Sequence, residues 1–179
     1  RASGYTPVRV STHAVEDAFQ RLAREGLLFV AEGSTYQENG HGFYVLNFPT
    51  PNATWVFDMS TGQWHQRGYW NFTNGQYEAH RGRVHAFGFN RHLVGDRATG
   101  KIFEMSTSIY SDDGNPLRWM RRSPILSEEN KTVQCRRFEL AVNAGAGLDG
   151  QASTSPEYDP QIIFRSSRNS GQTWSDERM

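Results

Sequence analysis

Residues 56–64 read VFDMSTGQW, and residues 94–102 read VGDRATGKI. In both stretches a strand-like run ends in Asp, two residues follow, and then comes Thr-Gly. Gly62 and Gly100 lie 38 positions apart. A period of about 40 residues, with about four short strands in each repeat, is typical of the blades of a β-propeller. The sequence therefore predicts an all-β protein made of propeller-type blades of antiparallel strands.

The repeated element has a local physical reason. Asp58 and Asp96 can accept hydrogen bonds from backbone N–H groups inside the turn. Gly62 and Gly100 can adopt the positive φ that a hairpin corner needs. We therefore interpret both stretches as structural corners and not as a pair of catalytic carboxylates.

A third corner is predicted in residues 166–174, SSRNSGQTW. Ser167, Asn169, Gly171 and Trp174 follow the order Ser-x-Asn-x-Gly-x-x-Trp. This order resembles the Asp-box of sialidases and many other propellers, with Asn in place of the usual Asp. The resemblance implies a folded hairpin remote from catalytic groups, with Asn169 and Gly171 in a structural role.

The rest of the chain predicts one helix followed by strands. In STHAVEDAFQRLAREG, residues 11–26, Val15, Phe19 and Leu22 recur at helical spacing and Gly26 can end the helix. From residue 27 onward, short runs such as LLFVAE, FYVLNF, TWVFDM and RVHAFGF indicate strands separated by turns. We expect a helical connector over residues 1–26 and one domain of blades over residues 27–179.

Composition excludes several classes of protein. The chain has 19 basic and 19 acidic residues, so no global field favours nucleic acid or a membrane surface. No apolar run approaches the roughly 18 residues of a membrane span. Cys135 is the single cysteine, so it cannot form an internal disulfide. It lies in the strand-like run TVQCRRFELAV, where we expect a small apolar residue and not a nucleophile.

The sequence predicts no catalytic, cofactor or metal site. His80, His85 and His92 fall near Glu78, but their convergence on a metal would need a strand pairing that the sequence does not establish. No Gly-x-Ser-x-Gly elbow is present. Residues 112–114, Asp-Asp-Gly, are typical of a turn.

One segment carries excess positive charge. Between residues 118 and 137 there are six basic and two acidic side chains, and in LRWMRRSP the arginines alternate with Trp and Met. Such a surface can meet an acidic partner or phosphate, while a solvated strand face is the alternative interpretation. The candidate interface residues are Arg118, Trp119, Arg121, Arg122, Arg136 and Arg137. We expect a neighbouring protein, and not DNA, as the partner.

Several phrases together resemble one family. They are RVSTHAVEDAF, FYVLNFPTPNATWVFDMSTGQWHQR, HLVGDRATGKIFEMS, YSDDGNPLRWMRRSP and RRFELAVNAGAG. In this order they are similar to the C-terminal half of the packaged-DNA stabilisation, or tail accessory, proteins of short-tailed bacteriophages. Such proteins look longer than this chain, so the resemblance implies a piece of a longer protein and a propeller that is incomplete here.

The resemblance also implies a function. It points to a non-enzymatic virion protein that is assembled in the host cytoplasm, adds to the portal after packaging and builds the tail hub. Its partners would be the portal, other tail proteins and further copies of itself in a ring, without sequence-specific nucleic acid or a membrane. Two alternatives remain at this point: an Asp-box propeller that binds or hydrolyses glycans, and a blade module that serves as a generic protein-binding surface.

Overall fold

The computed structural model describes residues 2–127, 133–141, 152–154, 158 and 161–179. The chain divides into two compact units, Arg1–Ile109 and Tyr110–Met179. The regular structure of the described residues consists of antiparallel β-strands and one α-helix, with a single short 3-10 turn. This confirms the fold class that the Thr-Gly repeat predicts, whereas the division into a connector and one blade domain stays a prediction.

The first unit contains the helix and most of the strands. The helix α1 spans His13–Arg24, and a 3-10 turn follows at Leu28–Val30. The strands before it are β1 (Ala2–Ser3) and β2 (Thr6–Pro7). The strands after it are β3 (Glu32–Glu38), β4 (His41–Phe48), β5 (Ala53–Asp58), β6 (Gln63–Asn71), β7 (Gln76–Ala79), β8 (Gly82–Gly88), β9 (Arg91–Asp96) and β10 (Ile102–Met105).

The larger sheet of this unit is an antiparallel meander in the order β3-β4-β5-β6-β7. Asn39 and Gly40 join β3 to β4 with φ values of 49° and 80°, the two positive values that a type I′ hairpin turn requires. Val56 in the central strand β5 is 0% exposed. The core of the unit therefore lies at the middle of this sheet.

The helix covers one face of the larger sheet. Thr12 caps its start by accepting a hydrogen bond from the Val15 backbone N–H at 3.4 Å. The ring of Phe19 lies 5.7 Å from that of Phe48 and 5.9 Å from that of Trp55, between centroids. These contacts hold the predicted apolar stripe of the helix against the sheet.

β1 and β2 pair with each other in a two-stranded sheet. A three-stranded sheet, in the order β10-β9-β8, lies beside β3. Arg83 in β8 donates to the Glu32 carboxylate in β3 at 3.0 Å, and the ring of Tyr36 lies 5.0 Å from that of His85. In chain order β8-β9-β10 repeats β4-β5-β6, and each set contains one Thr-Gly corner. β7 precedes β8 as β3 precedes β4. However, β7 pairs with the end of β6, from Gly68 to Asn71, and not with β8.

The second unit has little regular structure among its described residues. A short hairpin joins β11 (Ser111–Asp112) to β12 (Asn115–Pro116). Its turn residues Asp113 and Gly114 both have positive φ, 52° and 80°, so the Asp-Asp-Gly sequence forms a turn. An isolated bridge pairs Phe164 with Arg178.

Two predicted strands are wrong. The run LLFVAE forms the 3-10 turn Leu28–Val30, because the Leu27 backbone N–H donates to the Leu22 carbonyl at 2.8 Å and continues the end of the helix. Residues 133–141, the described part of TVQCRRFELAV, have no regular structure, and Cys135 is exposed. An apolar run without alternation does not by itself distinguish a strand from a turn.

Candidate functional site

The first corner is organised by the Asp58 carboxylate. Its Oδ1 accepts hydrogen bonds from the backbone N–H groups of Ser60 at 2.8 Å and Thr61 at 3.4 Å. Its Oδ2 lies 2.8 Å from the Nδ1 of His41, the first residue of β4. Gly62 has a φ of 70°, and its N–H donates to the Asp58 carbonyl at 2.9 Å. The side chain thus ties the turn to the neighbouring strand.

The second corner repeats this plan with a stronger partner. Asp96 accepts from the backbone N–H groups of Ala98 at 3.3 Å and Thr99 at 2.9 Å, and also from the Thr99 hydroxyl. Arg81 donates two parallel hydrogen bonds, Nε to Oδ1 at 3.1 Å and Nη2 to Oδ2 at 2.7 Å. The Asp96 side chain is 0% exposed and that of Arg81 is 16% exposed. Gly100 has a φ of 72°, close to that of its counterpart in the first corner.

These contacts keep both carboxyl groups ionised. Burial works against ionisation of Asp58, but the hydrogen bonds from His41, Ser60 and Thr61 outweigh it and lower the pKa of Asp58 to about 2. The hydrogen bonds from Arg81 hold the pKa of Asp96 far below its ordinary range, against the opposing effect of burial. A general acid must carry a proton near neutral pH, so neither group is suited to that role.

The third corner is folded around the side chains of residues 166–174. The Ser167 hydroxyl accepts from the Gly171 N–H at 2.9 Å, and Asn169 Oδ1 accepts from the Thr173 N–H at 2.8 Å. The Trp174 indole N–H donates to the Gly171 carbonyl at 3.1 Å. The polar groups of the Asp-box-like sequence are therefore engaged with one another inside the turn.

The histidines do not form one cluster. His80 is half-buried and its Nδ1 accepts from the Gly82 N–H at 3.1 Å, while Glu78 accepts from the Asn71 amide at 2.8 Å. His85 and His92 do meet, with 3.0 Å between Nε2 of the first and Nδ1 of the second. Nowhere in the described part of the chain do three His, Cys, Asp or Glu side chains converge in a way that could hold a metal ion.

The sequence named His85 and His92 as residues but did not establish their side-chain contact. Its signal was the spacing of seven residues across the predicted strand RVHAFGF and the turn after it. Burial and the neighbouring His92 lower the pKa of His85. Both rings lie on one face of the β8–β9 hairpin, next to Tyr36 of the larger sheet.

A polar groove lies beside the first corner. Its lining includes Glu38, His41, Met59 and Ser60. His41 is oriented by Asp58, as the general base of a hydrolase would be, but the Ser60 hydroxyl donates to the Gly40 carbonyl at 3.2 Å. That hydrogen bond directs the hydroxyl to a backbone acceptor, so the geometry gives no activated nucleophile.

The candidate interface residues lie in segments without regular structure in the second unit. Trp119 is 91% exposed, and Arg121 is exposed beside it. Two of the arginines have partners within the unit: Arg118 donates to the Glu177 carboxylate, and the Arg122 guanidinium lies 4.8 Å from the Trp174 ring centroid.

The remaining two candidates, Arg136 and Arg137, are also exposed, and Arg137 forms an ion pair with Glu139. Trp119 is the most exposed aromatic residue among the described residues of the second unit, and Arg121, Arg122, Arg136 and Arg137 are exposed, whereas Arg118 is half-buried.

Comparison with known proteins yields one match. A family model described as "Bacteriophage P22 Gp10, beta-propeller" matches residues 2–110 of the 179. No curated protein and no solved structure matches the chain. Among the described residues, no helix has the length and apolar character needed to span a membrane. The matched region includes α1, the five-stranded and three-stranded sheets of the first unit and both Thr-Gly corners.

Proposed function

The chain belongs to the family described as "Bacteriophage P22 Gp10, beta-propeller", whose members are phage structural proteins involved in DNA stabilisation, and we propose that it joins the portal to the tail of the virion. It assembles onto the portal in the host cytoplasm after packaging and forms part of the tail hub. Its other partners are neighbouring tail proteins and further copies of itself. The family match over residues 2–110 is the observation that carries this proposal.

The corner geometry supports a mechanical role without catalysis. The carboxylates of Asp58 and Asp96 accept hydrogen bonds from turn N–H groups; that of Asp58 also contacts His41 at the start of β4, and that of Asp96 also contacts Arg81 just before β8. A carboxylate committed in this way stabilises the blade and offers no proton for chemistry. Asp58 and Asp96, the carboxylates that an enzyme hypothesis would use, therefore serve to stabilise the turns.

In this proposal the protein retains DNA by closing the portal channel and not by binding the phosphates of the DNA backbone. The balance of 19 basic and 19 acidic residues provides little electrostatic affinity for a polyanion. Several copies around the portal axis would each bury a modest interface. Because all copies engage at once, the assembled joint is much tighter than any single contact.

Trp119 and Arg121 are the proposed centre of the contact with a neighbouring virion protein. Trp and Arg are the residue types most enriched among the energetically dominant positions of interfaces. Trp119 is 91% exposed, so contact with a neighbouring molecule would bury a large apolar surface. The neighbouring arginines favour an acidic surface on that molecule.

The experiment is to incubate the intact protein with purified portal and to inspect the particles by electron microscopy. Ring-like density added below the portal is expected with the wild-type protein. Trp119→Ala combined with Arg121→Glu should reduce the fraction of decorated portals at least tenfold. Phe72→Ala, which removes an exposed aromatic ring from the other unit, should leave decoration unchanged. Bare portals with folded wild-type protein would refute the proposal.

The glycan-binding alternative depends on residues 166–174, and their polar side chains are hydrogen-bonded within the turn. It makes a separate prediction, since a glycosidase needs two carboxylates across a sugar. Incubation with sialylated and neutral oligosaccharides should give no turnover. Measurable hydrolysis, lost on substitution of a carboxylate, would reverse the order of the two functions.

A further inference from the structure

The β8–β9 hairpin places two imidazoles on the same face. The turn consists of Phe89 and Asn90, both with positive φ, 54° and 59°, and the register shift of this hairpin lies beyond His85, between Gly82 and Val84. Phe87 pairs with His92, and His85 pairs with Val94. His85 and His92 therefore occupy diagonal positions, where side chains of this size can touch.

Aromatic packing restricts both rings. The Tyr36 ring lies 5.0 Å from that of His85 and 5.8 Å from that of His92, between centroids. Phe87 lies 4.9 Å from His92 on the hairpin itself. Tyr36 is 7% exposed and the two histidines are half-buried, so the pair lies at the seam between the five-stranded and three-stranded sheets and stays partly open to solvent. The rings therefore lose little further freedom when both bind one ligand.

We propose that His85 and His92 together chelate a divalent transition-metal ion, with water completing its coordination. Their nitrogens lie 3.0 Å apart. Two imidazole nitrogens at 2.0–2.1 Å from one metal are separated by about 2.9 Å at a right angle and by about 3.4 Å at a tetrahedral angle. The observed separation falls inside this interval. Because the contact is an N–H···N hydrogen bond, the ring that donates must move its proton to its other nitrogen, and both rings then tilt so that the two lone pairs converge on the metal.

The surrounding charges act in both directions. The Glu38 carboxylate interacts electrostatically with His85 and favours a bound cation. The Arg67 guanidinium lies 5.4 Å from the Tyr36 ring centroid, on the same seam, and opposes it. Imidazole ligands suit copper, nickel and zinc, and Cu²⁺ binds a given nitrogen site most strongly among these ions. We therefore expect the order of affinity to be Cu²⁺ above Ni²⁺ and Zn²⁺, with hard ions such as Mg²⁺ excluded.

The test is calorimetric titration of the intact protein with NiCl2 and with ZnCl2 at pH 7.5. One ion per chain should bind the wild-type protein. His85→Gln and His92→Gln should each weaken binding at least tenfold, since each leaves a single imidazole. His13→Gln, which removes an exposed histidine at the start of α1, should bind as the wild type does.

A second measurement keeps the inference testable if a variant folds poorly. Electron paramagnetic resonance of the wild-type protein with one equivalent of Cu²⁺ should show hyperfine coupling to two equivalent nitrogens, and MgCl2 should not displace the ion. Coupling to a single nitrogen, or equal Ni²⁺ affinity in the wild type and in a folded His92→Gln variant, would overturn the assignment. This outcome is independent of portal binding, so the proposed function can fail while the metal site stands.

Discussion

Replacing Asp96 by Ala should destabilise the first unit more than any other single substitution in the two Thr-Gly corners. The substitution removes a fully buried carboxylate that receives two hydrogen bonds from Arg81 and two from backbone N–H groups. Removing one member of a buried ion pair leaves the other charge uncompensated, which costs about 3–5 kcal/mol. Urea unfolding at pH 7, followed by tryptophan fluorescence, measures this loss as a lower midpoint at constant slope.

The control is the same substitution in the other corner. Asp58→Ala removes an equivalent carboxylate, but the His41 side chain that faces it is 43% exposed and can be solvated after the change. Its cost should therefore be clearly smaller. In addition, Arg81→Met in the Asp96→Ala background should recover part of the lost stability, because it removes the guanidinium charge that has lost the Asp96 carboxylate. Equal costs in the two corners, together with no recovery in the double variant, would refute the argument.

Three further changes test other parts of the first unit. Phe19→Ala should cost about 2–3 kcal/mol in urea unfolding, below the 3–5 typical of a fully buried Phe, because its ring is half-buried against the sheet; no loss of stability would contradict the helix packing. Phe89→Asn should raise the free energy of unfolding by about 0.5–1 kcal/mol, since the ring is 93% exposed and φ is 54°, which Asn tolerates better; a lower melting temperature would contradict this. Because the pKa values of Asp58 and Asp96 are lowered on folding, their contribution is complete above about pH 5 and declines as the pH falls, with the Asp58 part lost near pH 2 and the Asp96 part at still lower pH; a urea midpoint that stays flat between pH 5 and pH 2 would exclude it.

Much of the fold could be predicted because its corners are encoded locally. Asp58 and Gly62 act within five residues of chain, so their spacing is visible in the sequence and recurs at Asp96 and Gly100. The Asn-Gly pair at residues 39–40, a strong signal for a type I′ hairpin, was available in the same way. The turn hydrogen bonds depend on residues close in sequence, whereas the contacts of His41 with Asp58 and of Arg81 with Asp96 join residues 17 and 15 positions apart.

What could not be predicted depends on distant partners. The run at Leu28–Val30 looks like a strand but has no sheet to join, and Phe29 is 85% exposed as a result. The contact of His85 with His92 needs the two-residue turn at Phe89 and Asn90, where a bulky residue with positive φ is not signalled by composition. Strand pairing, and not local propensity, determines both that residues 28–30 do not form a strand and that His85 contacts His92.

The two corners also show how a repeated element diverges without losing its geometry. Each carboxylate is paired with a side chain at or just before the start of an earlier strand, and the burial of that side chain determines which residue type is suitable. Arg81, at 16% exposure, keeps its charge in any environment and supplies two aligned donors to a carboxylate with no access to water. His41, at 43% exposure, supplies a single nitrogen at 2.8 Å to a carboxylate that retains 11% exposure. If this reasoning holds, His41→Arg should be tolerated beside Asp58, because that corner is partly exposed. Arg81→His should be destabilising, because an imidazole cannot replace the two donors to the buried Asp96. The urea midpoint should therefore stay near the wild-type value for the first variant and fall for the second.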